Sequence, residues 1–357
     1  MIKRRETKTV TVGSVKIGSG HPVSIQSMTK TDTSDIRATV GQVRQLEEAG
    51  CEIVRVAVKN TSDAKAISAI RKDTEIPFVA DIHFDYRLAV ECIKQGADKI
   101  RINPGNIYKT AEIDKIIDAA ASKNIPVRIG VNSGSLRDES DGSTDIADRM
   151  VDSALKYVEH FRKRDFDDLV ISLKASEVPS TVRAYRRIAG ECGYPLHLGV
   201  TAAGLPEEGV VKSSIGIGAL LMEGIGDTVR VSLTGDSIAE VDVAKRILSA
   251  IGSRHFGPRI IACPTCGRCQ VDLVSIVKQL EWELKRTTEH ARRGTDKSLV
   301  IAVMGCEVNG PGEAKDADIG IAFGKGKGVV FRHGEVVKTV EASAAIKELL
   351  EMIREEI

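Results

Sequence analysis

Ile53-Val-Arg-Val-Ala-Val58, Phe78-Val-Ala-Asp-Ile82, Lys99-Ile-Arg-Ile-Asn103 and Val127-Arg-Ile-Gly-Val131 carry the reading of the fold. Each is a short run rich in β-branched residues, the composition of a strand. Runs of the same kind occupy Val23–Met28, Leu169–Lys174, Leu196–Thr201 and Thr228–Leu233, so eight strand candidates punctuate residues 1–235 at regular spacing. Between them lie amphipathic helical stretches. Asp35–Ala49 sets Ile36, Val40, Val43 and Leu46 on one stripe, and Thr110–Ala121 does the same with Ile113, Ile116 and Ile117. Ser62 and Thr110 read as helix openings, and Gly50, Gly96 and Gly226 as helix ends leading into strands. Eight strand-then-helix units of about 30 residues, roughly 250 in all, predict an α/β fold of the closed (β/α)8 TIM-barrel kind. An open doubly wound sheet is the alternative that the same alternation allows. Ahead of the first unit, Thr7–Ile17 places Val10, Val12, Val15 and Ile17 around Gly13-Ser14, which predicts a hairpin plugging the bottom of the barrel.

The pattern changes after Ser249-Ala-Ile-Gly-Ser-Arg-His-Phe-Gly-Pro258. This sets a barrel domain at 1–255 and a second domain at 256–357. In the second, strands at Arg259–Ala262, Leu299–Met304, Ile319–Phe323, Val329–Arg332 and Val336–Val340 mix with a helix over Asp272–Arg286 and a closing helix through Ile353, a small α+β domain. About 100 residues with few aromatics make a thin core, so a bound metal centre is expected to help hold it together.

Composition narrows the function classes. Fifty-one Lys and Arg against 50 Asp and Glu leave a net charge of +1, so no global field favours nucleic acid or a membrane surface, and an anion site must be local. The amino terminus has charge but no apolar segment behind it, and no apolar run reaches about 18 residues; a cytoplasmic protein is expected. In that compartment seven cysteines do not read as a disulfide framework. Cys51, Cys92 and Cys192 lie in apolar or helical settings and read as inert buried thiols.

Polar residues at the carboxyl ends of the strands carry the chemistry of such a barrel. Here many are cationic. Arg55, Arg101, Arg128, Lys174 and Arg230 fall within or at the end of strands, accompanied by His83, Asn103, Asn132, Ser172, His197, Thr201 and Ser232. One strand arginine is ordinarily half of an internal ion pair, but five need more carboxylates than Asp81 supplies. The set suits a substrate with several phosphate charges, where guanidinium contacts are strong.

Four further cysteines crowd into Cys263-Pro-Thr-Cys266-Gly-Arg-Cys269 and Met304-Gly-Cys306. Thiolates at this spacing can hold structural zinc or an iron–sulfur cluster. Zinc ribbons usually pair two Cys-x-x-Cys knuckles, whereas here the distant thiol stands alone in a Gly-Pro-Gly loop with Glu313 seven residues on. No nucleotide-binding fingerprint is present, and Gly324-Lys-Gly-Lys-Gly328 reads as a turn between strands.

Six stretches together resemble the 4-hydroxy-3-methylbut-2-enyl diphosphate synthase family, also called IspG or GcpE. They are Ser24-Ile-Gln-Ser-Met-Thr29, Ala80-Asp-Ile-His-Phe-Asp85, Lys99-Ile-Arg-Ile-Asn-Pro-Gly-Asn106, Arg128-Ile-Gly-Val-Asn-Ser-Gly-Ser135, Cys263-Pro-Thr-Cys266 and Gly305-Cys-Glu-Val-Asn-Gly-Pro-Gly-Glu313. The resemblance runs essentially end to end and matches the two-domain bacterial form. It implies reductive opening of 2-C-methyl-D-erythritol 2,4-cyclodiphosphate in the non-mevalonate route to isoprenoids. It also implies a [4Fe-4S] cluster on Cys263, Cys266, Cys306 and Glu313, ferredoxin or flavodoxin as electron donor, and a head-to-tail homodimer. Carried over by position, the substrate contacts are Arg55, His83, Arg101, Asn103, Arg128, Asn132, Lys174 and Ser232. An oxygen ligand such as Glu313 is more readily exchanged than a fourth thiolate, which suits catalysis at the cluster.

Two positions depart from the family pattern. Cys269 is an additional thiol, either a bystander beside the cluster or a fourth ligand that would leave Glu313 spare. Ala202, in Gly199-Val-Thr-Ala-Ala-Gly204, stands where the family commonly carries a glutamate. Loss of hydroxide as water needs a proton, so a missing acid here implies slow turnover unless Glu207 or Glu208 substitutes. The rival reading is a metal-free barrel of the dihydropteroate synthase type binding a diphosphate ester, which leaves the cysteines unexplained.

Overall fold

A short antiparallel hairpin, β1 (Val10–Val12) and β2 (Val15–Ile17), precedes eight parallel strands. The computed structural model describes residues 2–136, 145–287, 299–307, 312 and 317–356, and the chain divides into two units, Met1–Arg254 and His255–Ile357.

In the first unit the eight strands are β3 (Ser24–Met28), β4 (Ile53–Val58), β5 (Phe78–Ile82), β6 (Lys99–Ile102), β7 (Val127–Asn132), β8 (Leu169–Lys174), β9 (His197–Leu198) and β10 (Thr228–Val229). Their order is β8-β7-β6-β5-β4-β3-β10-β9, and a parallel bridge from Ile171 to Leu196 joins the two ends into a ring. The TIM barrel expected from the eight strand–helix units is met, and the open sheet is set aside. The last two strands are shorter than the sequence suggests. Leu196–Thr201 and Thr228–Leu233 look continuous by composition, but each keeps ladder pairing over only two residues.

Laterally paired residues in a sheet point to the same face, and successive residues alternate. The hairpin side chains Val10, Val12 and Ile17 pack with Ile53, Val79 and Val170, so one end of the barrel is an apolar floor. Two residues further along the same strands come Arg55, Asp81 and Ser172, and the pairs Asp81–Arg101 and Arg101–Arg128 extend that polar layer around the ring. The hairpin therefore acts as the plug expected of it, and the polar layer sits above it toward the carboxyl ends.

The helices follow the strands as their apolar stripes require. In α1 (Ile36–Glu48) the Asp35 carboxylate accepts from the Ala38 N–H, a side-chain cap. In α2 (Thr61–Lys72) the cap is Asn60, which accepts from the Asp63 N–H, so Ser62 is inside the helix and does not open it. Thr110 is likewise the first residue inside its helix, Thr110–Lys123, which starts at Lys109 without a side-chain cap. The extended backbone of Asn60 and Lys109 decides this, because a cap residue must lie outside helical geometry.

The second unit is a five-stranded sheet of β11 (Arg259–Ala262), β12 (Val300–Met304), β13 (Ile319–Gly324), β14 (Lys327–Arg332) and β15 (Glu335–Glu341), in that order. The first two pairings are parallel and the last two antiparallel. Helices Leu273–Thr287 and Ala345–Glu356 cover it, with Leu280, Ile301, Ile319, Phe323 and Leu349 in the shared core. Gly324-Lys-Gly-Lys327 is the β13–β14 turn, with Lys325 and Gly326 both at positive φ, as a two-residue hairpin turn requires.

Candidate active site

Arg55, Arg101, Asn103, Arg128 and Lys174 are all buried in the barrel interior, with Arg230 and Ser232 partly so. Two carboxylates answer this charge. Asp81 bonds the Arg101 guanidinium at 3.0 Å and lies 3.8 Å from Arg55 Nε and 3.5 Å from His83 Nε2. Burial opposes the charge on Asp81, but Arg55 and Arg101 outweigh it and hold its carboxyl well below the usual range. Arg55 itself is pulled down to about 10, chiefly by burial. The second carboxylate was not foreseen. Glu240 comes from the helix Ser237–Ala250, sits 3.1 Å from Arg230 Nη2, and also accepts from Ser27 Oγ and the Leu233 N–H at 3.1 Å each. Arg230 is thus committed to Glu240 and to Ser232, whose hydroxyl it also bonds.

Arg128 and Lys174 differ. Among the described residues neither has a carboxylate within ion-pair distance; Arg128 reaches only the Gln26 side-chain oxygen, at 3.3 Å, and its Nε has no partner. Burial, followed by the charges of Arg55 and its neighbours, drives both well below their ordinary pKa values. Two unscreened cations in a buried layer are costly unless an anion joins them. Gly130 keeps this space open: a Cβ there would lie 2.4 Å from Arg101 Nε. The Arg101 Nη2 donates to the Gly130 carbonyl at 2.9 Å across that gap.

The polar companions lie nearby. Asn103 donates to Ser135 Oγ at 2.7 Å and accepts from the Gly105 N–H at 3.0 Å. Asn132 is paired in register with Lys174. His83 is partly exposed, with Nδ1 3.3 Å from the Asn106 amide nitrogen. Ala202 is exposed, with a left-handed backbone at φ 49°. Glu208, one of the two candidate substitutes for its missing acid, pairs with Lys212 at 2.6 Å.

In the second unit Cys263 follows β11 directly and Cys306 lies two residues beyond β12, and these strands are paired in parallel with Ala262 beside Val303. Both loops therefore leave the same sheet end. The Gly305 N–H donates to Cys263 Sγ at 3.2 Å. A Cβ on Gly305 would stand 2.3 Å from Cys269 Sγ and 3.4 Å from Cys263 Sγ, so only glycine fits between these thiols. Cys306 is buried, Cys266 is exposed, and the Cys269 N–H closes a turn onto the Cys266 carbonyl at 2.9 Å. No group of three ligating side chains is close enough to hold a single metal ion among the described residues, and Glu313 lies outside them. Thiol donors carried on two loops that leave the same sheet end are the donor set of a sulfur-ligated cluster.

The match to known proteins follows the same two units. The family described as "GcpE TIM-barrel domain" matches residues 7–245, and "GcpE protein C-terminal domain" matches 259–355. This chain belongs to the GcpE family. It is 52% identical over 356 residues to a protein of Thermodesulfovibrio yellowstonii named 4-hydroxy-3-methylbut-2-en-1-yl diphosphate synthase (flavodoxin), covering 99% of this chain and all of that one. A protein of the same name from Ruminiclostridium cellulolyticum is 49% identical over 358 residues, covering 99% of each. Among solved structures, dihydropteroate synthase of Xanthomonas albilineans aligns with 69% of this chain and 98% of its own, at TM-score 0.50 and 16% identity. That likeness concerns the barrel fold alone. In this GcpE chain no helix among the described residues is long and apolar enough to cross a membrane.

Proposed function

We propose that this GcpE-family chain reduces 2-C-methyl-D-erythritol 2,4-cyclodiphosphate to 4-hydroxy-3-methylbut-2-enyl diphosphate and water, with flavodoxin as electron donor. The observation that carries the reading is the pair Arg128 and Lys174, buried without a counter-ion among the described residues in a layer that already holds Arg55 and Arg101. A ligand with two phosphoryl groups supplies the missing negative charge. The names of the full-length relatives favour flavodoxin over ferredoxin.

The residues divide the work. Arg128 and Lys174 bind the diphosphate, Arg55 and Arg101 are held in place for it by Asp81, and Ser232 is oriented by Arg230. Asn103 and Asn132 offer amide donors at the strand ends. Cys263, Cys266, Cys306 and Glu313 would hold a [4Fe-4S] cluster, with Cys269 as a neighbouring thiol. When bound, such a cluster supplies electrons one at a time. The overall change takes up two electrons and two protons, opens one C–O bond of the ring and releases one oxygen as water. Ala202 cannot deliver a proton, so the rate depends on another acid or on solvent. A homodimer belongs to the same proposal and rests on the family resemblance.

The test is turnover of the cyclodiphosphate by anaerobically reconstituted protein with dithionite and viologen, beside Arg128→Met. The reading expects product from the first and at least a hundredfold loss of kcat/KM in the second, about 3 kcal/mol of binding. Product from neither, with cluster content intact, would remove the reading.

A further inference from the structure

Glu240 is buried in the first turn of the helix Ser237–Ala250, and the reading above gives it no role beyond balancing Arg230. Its two oxygens are shared among groups from separate stretches of chain. Oε2 accepts from Ser27 Oγ on β3 and from Arg230 Nη2, at 3.1 Å each. Oε1 accepts from the Leu233 N–H at 3.1 Å and lies 3.3 Å from Nζ of Lys30, which follows β3. Lys30 Nζ in turn donates to the Leu233 carbonyl at 3.0 Å and to the Gly235 carbonyl. Arg230 Nη1 closes the circuit by donating to Ser232 Oγ.

Ser232 is thereby bracketed on both sides. β10 ends at Val229, so Ser232 lies three residues past the ladder and is not held by strand pairing. On one side Arg230, itself held by Glu240, binds its hydroxyl. On the other, Leu233 is gripped at its N–H by Glu240 and at its carbonyl by Lys30. The Thr234 N–H adds a bond to the Gly204 carbonyl at 2.9 Å further along. One buried carboxylate thus fixes both neighbours of a hydroxyl at the barrel mouth. A carboxylate placed near a diphosphate would repel it, so any favourable effect of Glu240 on turnover must pass through the groups it holds.

We propose that Glu240 is a positioning residue for the reaction: with Lys30 it fixes the segment 230–235 so that Ser232 Oγ is presented to the substrate. This rests on the reading of the mouth as the substrate site, with Ser232 among its contacts. The sign of the effect separates positioning from charge. If Glu240 acted by its charge alone, removing it would free Arg230 and Lys30 for the anion and raise kcat/KM; positioning demands a loss.

The experiment is a double-mutant cycle in steady-state kinetics with the cyclodiphosphate, on anaerobically reconstituted full-length protein: wild type, Glu240→Gln, Ser232→Ala and the two combined. Glutamine keeps the size of the side chain and an acceptor for the Leu233 N–H, while Arg230 and Lys30 lose their charged partner. Glu240→Gln should lower kcat/KM by about 10- to 100-fold, the scale of a misplaced contact. Made on Ser232→Ala, the same substitution should cost less than about twofold, because the two residues act as one unit. An equal loss in both backgrounds, a gain from Glu240→Gln, or unchanged kinetics in Ser232→Ala each overturns the proposal and leaves the mouth reading intact. No turnover by wild type with its cluster content intact overturns both. Should Glu240→Gln fail to fold, Lys30→Met, at an exposed position, takes its place in the cycle. A loss that Ser232→Ala abolishes then supports the proposal, and a loss independent of Ser232, or none, refutes it.

Discussion

Arg101 Nη1 and Asp81 Oδ1 meet at 3.0 Å inside the barrel, both side chains almost completely buried, and among the described residues Asp81 is also the carboxylate within ion-pair distance of Arg55. One acid thus answers both of these guanidinium groups. Asp81→Asn should leave two guanidinium groups uncompensated and destabilise the first unit by about 3–5 kcal/mol, as breaking a buried pair does. The pH dependence has a definite sign. The Asp81 pKa is depressed in the fold, so its contribution is complete above the unfolded value near 3.9 and is lost as pH falls through the lower folded value. Urea unfolding at pH 7 and at pH 3 checks this. The gap between wild type and Asp81→Asn should shrink at the lower pH, and a constant gap would assign the effect to packing.

Gly305 is predicted to be as important to the cluster as the cysteines. An alanine Cβ would overlap Cys269 Sγ at 2.3 Å and press on Cys263 Sγ. Gly305→Ala should therefore reconstitute with less iron and acid-labile sulfide per chain, while the double variant Gly305→Ala with Cys269→Ala should recover toward wild type. If Cys269 were itself a required ligand, the double variant would be worse than the single one, so the same analysis settles the role of this extra thiol.

Cys51 and Cys92 are expected to resist alkylation in the native protein. Burial pushes both thiols up to about 12, and Cys51 also donates to the Ile53 carbonyl at 3.1 Å. At pH 8 the thiolate population is negligible. Mass spectrometry after iodoacetamide treatment of cluster-free protein should find Cys266, which is exposed, modified first. Cys51 and Cys92 should react only after denaturant is added; labelling of either at the rate of Cys266 would contradict the burial argument.

The strand–helix alternation was legible because β-branched runs and apolar stripes report directly on what each element buries. The polar layer was legible in part. Arg55, Arg101, Arg128 and Lys174 announce themselves by standing inside apolar strands, but their pairing depends on register, which composition does not encode. Glu240 could not be read as the partner of Arg230, since it comes from a helix and looks like an ordinary surface acid until that helix packs on β3. Lys99 escaped for a similar reason: a lysine at a strand start reads as a solvent-facing charge, and only its pairing with Val79 turns it inward. The helix starts at Asn60 and Lys109 were each read one or two residues late, because capping is decided by backbone angles.

Ala202 gives the sharpest test of what distinguishes this chain. Its backbone is left-handed at φ 49°, a region that costs a residue with a Cβ about 1 kcal/mol relative to glycine. Ala202→Gly should therefore stabilise the protein slightly and leave turnover unchanged, since neither side chain carries a proton. Ala202→Glu meets the same backbone demand as alanine and adds an acid at an exposed position of the loop ahead of the helix Pro206–Met222. A positioned acid contributes roughly 10²- to 10⁴-fold to a step that releases water. Ala202→Glu should raise kcat toward the lower end of that range, with KM for the cyclodiphosphate little altered. Steady-state kinetics on both variants separate the possibilities. A gain with glutamate alone assigns the missing acid to this position. Equal activity in all three proteins places the proton donor elsewhere, with Glu207 and Glu208 next to be replaced.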